Sequence, residues 1–330
     1  MENIIVSRLQ LLQFGAVQRY KHIAIVPLIA PDGSFRYRTL GEALATSDIT
    51  ITEISASGSV PELLVINRGK SPVLLIDGEE LAGAKQNRVL NTSILLKELS
   101  ETRIPVSCTE QGRWSYASPA FAPSGNVMAQ KVRAMKSRSV SHSLDASASY
   151  HSDQGEVWHE ISELSAKACC YSPTSAMNDV FKSREDDLRR CTEIFQCVPG
   201  QLGLLAFTDT RLAGFDLVSL GAAYATIHSK LVRSYALESL LESAPADAPA
   251  HDFGGMAKSF LDRVVACRES RFPSVGCGFD YRYRGDTIAG AALVHADEVI
   301  HAAFFQLDAP RQESPRDMAS LRNRRRYYRE

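Results

Sequence analysis

No stretch of this sequence approaches the roughly 18 consecutive apolar residues that a membrane-spanning helix needs. The first fifteen residues carry Leu9, Leu11, Leu12 and Phe14 but no basic start, apolar run and small-residue cleavage site in order, so no secretory leader is read there. The seven cysteines are odd in number, none stands in a C-x-x-C pair, and Cys169 and Cys170 are adjacent. That pattern excludes a disulfide framework or a zinc ribbon, and points to reduced thiols and a cytoplasmic protein. Excess charge is also lacking: 37 Lys and Arg against 38 Asp and Glu leave a net charge of -1. Such a balance gives no general pull toward nucleic acid or an anionic membrane, so neither is expected as a partner. There is no P-loop, no G-x-G-x-x-G, no G-x-S-x-G and no H-E-x-x-H, and no metal site is expected. His295 and His301, flanking Asp297 and Glu298, match no metal-ligand spacing.

What is present is ordinary globular material, with 45% hydrophobic and 23% charged residues over 330 positions. The first third reads as short strands separated by turns. They are His22–Ala30, Ile49–Ile54, Leu63–Ile66, Val73–Ile76, Val89–Leu96 and Ile104–Cys108, with a short helix at Leu40–Ala45. The middle reads as helices: Asn126–Ser139, Gln154–Ala168, and one opening at the Ser172-Pro173 pair and running toward Phe195. Between the first two, Ser139–Ser152 is rich in Ser, Ala and His and is expected to be mobile. The last third predicts hairpins at 202–218 and 287–305 and helices at Leu220–Leu241 and Met256–Ala266. A Pro, Ala and Asp linker at Ser243–Pro249 and an Arg-rich tail complete it. The class is therefore α+β: an antiparallel or mixed sheet core in the N-terminal third, a helical middle and a mixed C-terminal third. The expected divisions are 1–125, 126–200 and 201–330, packed together.

Polar residues concentrate between Asp77 and Tyr116. Two apolar strands run into this patch, one toward Asp77, Glu79 and Glu80, the other toward Cys108, Glu110, Gln111, Arg113 and Trp114. Gln86, Asn87, Arg88 and Asn91 lie between. A carboxylate on the apolar face of a strand is partly desolvated, which raises its pKa toward the range of general acid–base work. Glu79, Glu80 and Glu110 are thus the candidate acid–base groups, and Cys108 a candidate nucleophile. Arg88 and Arg113 suit a phosphate or carboxylate, Trp114 a ring, and Gln86, Asn87, Asn91 and Gln111 supply amides. Every one of them also suits salt bridges and turn caps. The structural alternative is a closed, mutually satisfied network; a site requires an open pocket with a carboxylate left unpaired.

The strings D-G-E-E-L-A-G-A-K-Q-N-R-V-L-N-T-S (77–93) and I-P-V-S-C-T-E-Q-G-R-W-S-Y (104–116) resemble a prokaryotic family. It is the ADP-ribosylglycohydrolase- and rhodanese/phosphatase-associated protein domain. The likeness runs from about His22 to about Leu241, through S-G-S-V-P-E-L, S-D-Q-G-E-V-W and K-L-V-R-S-Y-A-L. It implies no settled catalytic residues and no cofactor. By association it implies a place near NAD or ADP-ribose metabolism, with a small phosphorylated ligand as partner and hydrolysis or transfer as the chemistry. A non-catalytic binding or scaffolding protein is the alternative, and a homodimer the base-rate expectation.

Overall fold

Apolar runs bounded by turn residues become strands, and they close around three separate cores. The computed structural model describes residues 2–55, 60–208, 211–241 and 252–308. Ser243–Pro249, the Arg-rich tail and part of the Ser57–Leu63 string lie outside them. The fold is α+β.

The largest sheet has nine strands. In spatial order eight of them are Gln13–Phe14, Ile23–Ile29, Gln201–Thr208, Arg211–Val218, Glu298–Gln306, Ile288–His295, Phe279–Arg284 and Arg268–Pro273; Gln18–Tyr20 also pairs with Ile23–Ile29. All its pairings are antiparallel. Both hairpins expected in the last third are in it. Both faces are covered. On one, Phe215 and Phe304 pack against Phe253 and Phe260 of helix Phe253–Val265 and Ile5 of helix Asn3–Gln10. On the other, Ile25, Leu204 and Phe305 meet Val132 of helix Gln130–Ser147 and Leu231 and Tyr235 of helix Gly221–Ser239. Tyr224, Ile227, Leu231 and Tyr235, the helically spaced set of that last helix, are all buried.

A six-stranded sheet carries the polar segment. Its order is Phe121–Val127, Glu79–Gly83, Arg88–Leu90, Ser100–Cys108, Glu62–Asn67 and Ile49–Glu53. A three-stranded sheet of Ile94–Leu96, Val73–Leu75 and Arg38–Thr39 packs beside it, contributing Leu75, Ile94 and Leu96 to a shared core with Leu63, Leu81, Leu90 and Ile104. Helix Leu40–Ala45 forms as expected, closed by a capping box between Thr39 and Glu42.

Three expectations are corrected. The Ser- and His-rich stretch is not a loose segment: helix Gln130–Ser147 runs through most of it, because Val140 and Leu144 are buried and Ser141 returns its hydroxyl to the Ser137 carbonyl. Ser172 does not open a long helix. Its hydroxyl accepts from the Ala176 N–H, and two short helices follow, Met177–Ser183 and Glu185–Ile194. The run Val89–Leu96 is split between two sheets at Asn91–Ser93. No helix among the described residues is long and apolar enough to cross a membrane.

Candidate functional site

Strand Glu79–Gly83 sets the site because its side chains alternate between two environments. Leu81 pairs with Arg88 and Glu80 with Val89, so Arg88 lies on the face of the smaller core and Glu80 on the face toward the helices. The candidates from the sequence therefore divide into three groups.

The first is a staple. Arg113 donates from Nε and one terminal nitrogen to Glu110 Oε2 (3.0 and 2.7 Å). It also donates to the carbonyls of Ala84, Ser115 and Gly83 and to Asn87 Oδ1. A guanidinium has five N–H donors, and here they are all engaged within the protein. The Asn87 N–H also reaches Glu110 Oε2, at 3.1 Å. Burial works to raise the Glu110 carboxyl, but Arg113, Thr174 and the Asn87 N–H outweigh it and hold it below the usual range. Arg113→Ala is accordingly expected to lower the unfolding free energy by about 1–3 kcal/mol in urea denaturation, since it strips Glu110 of its cation and releases three carbonyls.

The second group lies on the Arg88 face. Arg88 donates to Gln86 Oε1 at 2.7 Å and to Cys108 Sγ at 3.1 Å, and its guanidinium sits 5.5 Å from the centre of the Trp114 ring. Burial pushes the Cys108 thiol up, against the pull of Arg88, so it is a poor nucleophile in this state. The side chain of Glu53, absent from the sequence-based candidates, comes within 3.9 Å of Arg88. Gln86 Nε2 reaches the Gln111 carbonyl at 3.4 Å, while Gln111 itself is exposed.

The third group is Glu79, Asn91 and Glu80, of which Glu80 lies on the face opposite Arg88. Glu79 is buried and paired with Lys230 at 2.6 Å. Asn91 bridges Ser107 and the Tyr150 carbonyl. Glu80 is the exception. It is fully buried, Oε1 accepts from Thr109 Oγ1 at 2.8 Å, and Oε2 has no hydrogen-bond partner among the described residues. Burial pushes its carboxyl up to about 7; Thr109 and Ser124 pull it down in part, and the Glu110 charge adds to the rise.

Strand Phe121–Val127, next to Glu80, is interrupted by a bulge between Pro123 and Val127. Gly125 adopts φ +85° there, with nothing within 4 Å of where a Cβ would be. The bulge opens onto a cleft of about 450 Å³ lined by Ser124, Asn126, Asn178, Thr192, Ser229, Lys182, Glu185, Arg189 and Arg233. Its three basic groups each have a carboxylate partner: Lys182 lies 3.6 Å from Asp179, Arg189 3.1 Å from Asp186, and Arg233 pairs with Glu185. Arg233 donates from Nε to Asn126 Oδ1 (3.1 Å) and grips Glu185 with two nitrogens (2.9 and 2.7 Å). Among the described residues two of its N–H groups are left over. Ser124 and Lys182 belong to this lining and also act on Glu80, so the carboxyl lies just behind the cleft. The sequence reading missed this lining; its one local signal is the P-S-G-N string, a glycine inside a strand run, which marks bulges.

Deeper in, a different cluster joins the sheets. Arg133 holds Asp216 with two bonds (3.0 and 2.7 Å) and lies 3.6 Å from Asp77, which Lys136 also contacts. Tyr235 donates to Asp216 at 2.8 Å. Arg282 holds Asp280 (2.6 and 2.8 Å) and Thr92. Gly78, at φ +80°, turns the chain away from Asp77 with Arg133 packed where a Cβ would point. Ser93, His301 and Asp216 repeat the residue types of a hydrolase triad, at 2.8 and 3.4 Å. But the Ser93 hydroxyl already accepts from the Asp77 N–H, and all three are sealed from solvent. This is a buried structural network, in which only Arg133 Nε and His301 Nε2 make no hydrogen bond among the described residues. His301 faces inward to it, and among the described residues no three His, Cys, Asp or Glu are arranged to hold a metal ion.

No curated protein and no solved structure matches the chain. A family model does match, over residues 11–305, well past the point near Leu241 where the motif likeness ends, so that the last hairpin is included. The chain belongs to the ARG and Rhodanese-Phosphatase-superfamily-associated Protein domain family.

Proposed function

We propose that this protein binds a small phosphorylated ligand of the ADP-ribose type in the cleft at the Ser124–Asn126 bulge. In this reading Glu80 serves as the acid–base group of a hydrolysis or transfer. The observation that carries it is the Glu80 carboxyl: fully buried, pushed up to about 7, with one oxygen unpartnered among the described residues, behind a cleft lined by Lys182, Arg189 and Arg233. Phosphate oxygens suit the spare N–H groups of Arg233 and the charges of Lys182 and Arg189. The amides of Asn126 and Asn178 and the hydroxyls of Ser124, Thr192 and Ser229 suit ribose hydroxyls. A carboxyl that titrates near neutrality can give a proton to a leaving oxygen or take one from water. The family's name, which sets the chain in the company of ARG and rhodanese–phosphatase proteins, agrees with that ligand class and supports it by context alone.

The rival is a non-catalytic scaffold. It is favoured by Arg113, whose donors are all spent internally, and by the Glu79–Lys230 pair. A thermal-shift titration with ADP-ribose, ADP, NAD and ribose 5-phosphate, with and without Mg²⁺, separates the two. Ligand at about 100 times its dissociation constant stabilises a fold by about 2.7 kcal/mol. The expected result is a shift with ADP-ribose or a relative that Arg233→Ala abolishes. No shift with any of the four favours the scaffold.

A further inference from the structure

Arg88 and Glu53 are both buried, and together they leave four polar atoms without hydrogen bonds. Among the described residues, Nε and one terminal nitrogen of Arg88 make none, and neither oxygen of Glu53 accepts one. Their closest approach, 3.9 Å, is an ion pair but not a hydrogen bond. A guanidinium and a carboxylate taken this far out of water are unfavourable unless their remaining donors and acceptors are met. Gln86 and Cys108 satisfy one terminal nitrogen from within the protein. On the solvent side stands Trp114, 48% exposed, its ring 5.5 Å from the guanidinium. Lys85 lies 5.4 Å from that ring and 5.2 Å from the ring of Tyr116, which is 53% exposed.

We propose that the Arg88–Glu53 pair beneath Trp114 is a second binding site, and that it takes the edge of a nucleobase. The missing complement is a group that presents an acceptor to Arg88 and, beside it, an N–H donor to Glu53. A ring nitrogen or carbonyl adjacent to an amino group on a purine or pyrimidine presents that pair. The same heterocycle offers a flat face to Trp114, and base–aromatic stacking is a strong, sequence-tolerant contact. A phosphate dianion does not fit, because it has no donor for Glu53 and meets that residue's charge. The site is on the opposite face of the sheet from Glu80 and stands independently of the cleft.

The chain has two tryptophans, so Trp158→Phe leaves Trp114 as the sole indole emitter. Titrating this variant with adenosine is expected to quench its fluorescence saturably. Glu53→Gln in the same background is expected to weaken binding tenfold or more. N6,N6-dimethyladenosine, which stacks but has no N–H for Glu53, is expected to bind as weakly to the parent. Ribose 5-phosphate, which has no base, is expected to leave the emission unchanged. The proposal is overturned if millimolar adenosine gives no saturable quenching, in which case water meets the orphan atoms. Equal affinity for adenosine and its dimethyl analogue also overturns it. That last comparison needs no variant at Glu53, and the wild type measured against Trp114→Phe replaces Trp158→Phe should the latter fail to fold.

Discussion

Replacing Arg133 by Met is expected to lower the unfolding free energy by about 3–5 kcal/mol, because it leaves a buried carboxylate without its cation. Arg133 is fully buried, as is Asp216, which it holds with two bonds, and it also approaches Asp77. Burial works to raise the Asp216 carboxyl, yet Arg133 and His301 outweigh it and keep it well below the usual carboxylate range. Methionine fills much of the same volume, so the loss reports the stranded charge rather than a cavity. Adding Asp216→Asn is expected to recover part of it, because the second charge is then gone too. Urea denaturation of both variants checks this. A single-variant loss below about 1 kcal/mol means that the network does not hold the sheets together.

The second large effect concerns Glu80. In the folded chain this carboxyl titrates near 7, against a reference value of 4.5. Between those values the folded state holds a proton that the unfolded state has released, so unfolding free energy falls as pH rises through the window. At about 1.4 kcal/mol per unit, the full window removes about 3 kcal/mol. Glu80→Gln stays neutral throughout. The variant is therefore expected to gain on the wild type as pH rises from 4.5 to 7, and to hold that gain above it. Where a turnover is found, the same substitution is expected to reduce it by about 10²–10⁴-fold, the usual contribution of a general acid or base.

Much of the fold was legible in the sequence because its strands bury both faces or alternate cleanly. Ile23–Ile29 is an unbroken apolar run, and Ile49–Glu53 alternates with period two. What was hidden is structure built from buried charge. Helix Gln130–Ser147 turns Arg133 and Lys136 inward, so its buried stripe looks like a solvent face. Strand Phe279–Arg284 does the same with Asp280 and Arg282. Strand Glu79–Gly83 begins with two glutamates and is specified by partners on either side, one of them about forty residues away.

The candidate site divides along the same line. Density of polar residues located the segment, and the desolvation argument for a carboxylate on a strand applies to Glu80. It could not separate Glu80 from Glu79 and Glu110, because Lys230 and the fold of the Arg113 loop decide which carboxylates are paired. Lys182, Arg233 and Glu53 come from distant segments and carry no local signal.

The titration of the Glu80 carboxyl itself tests its role most directly. Carbon-13 NMR of glutamate-labelled protein, compared with Glu80→Gln to assign the resonance, follows it from pH 4 to 9. The prediction is one glutamate carboxyl that stays protonated at pH 5, titrates near 7, and is missing from the variant. If every glutamate is already ionised at pH 5, Glu80 is not a poised proton carrier, and the cleft beside it has no acid–base group.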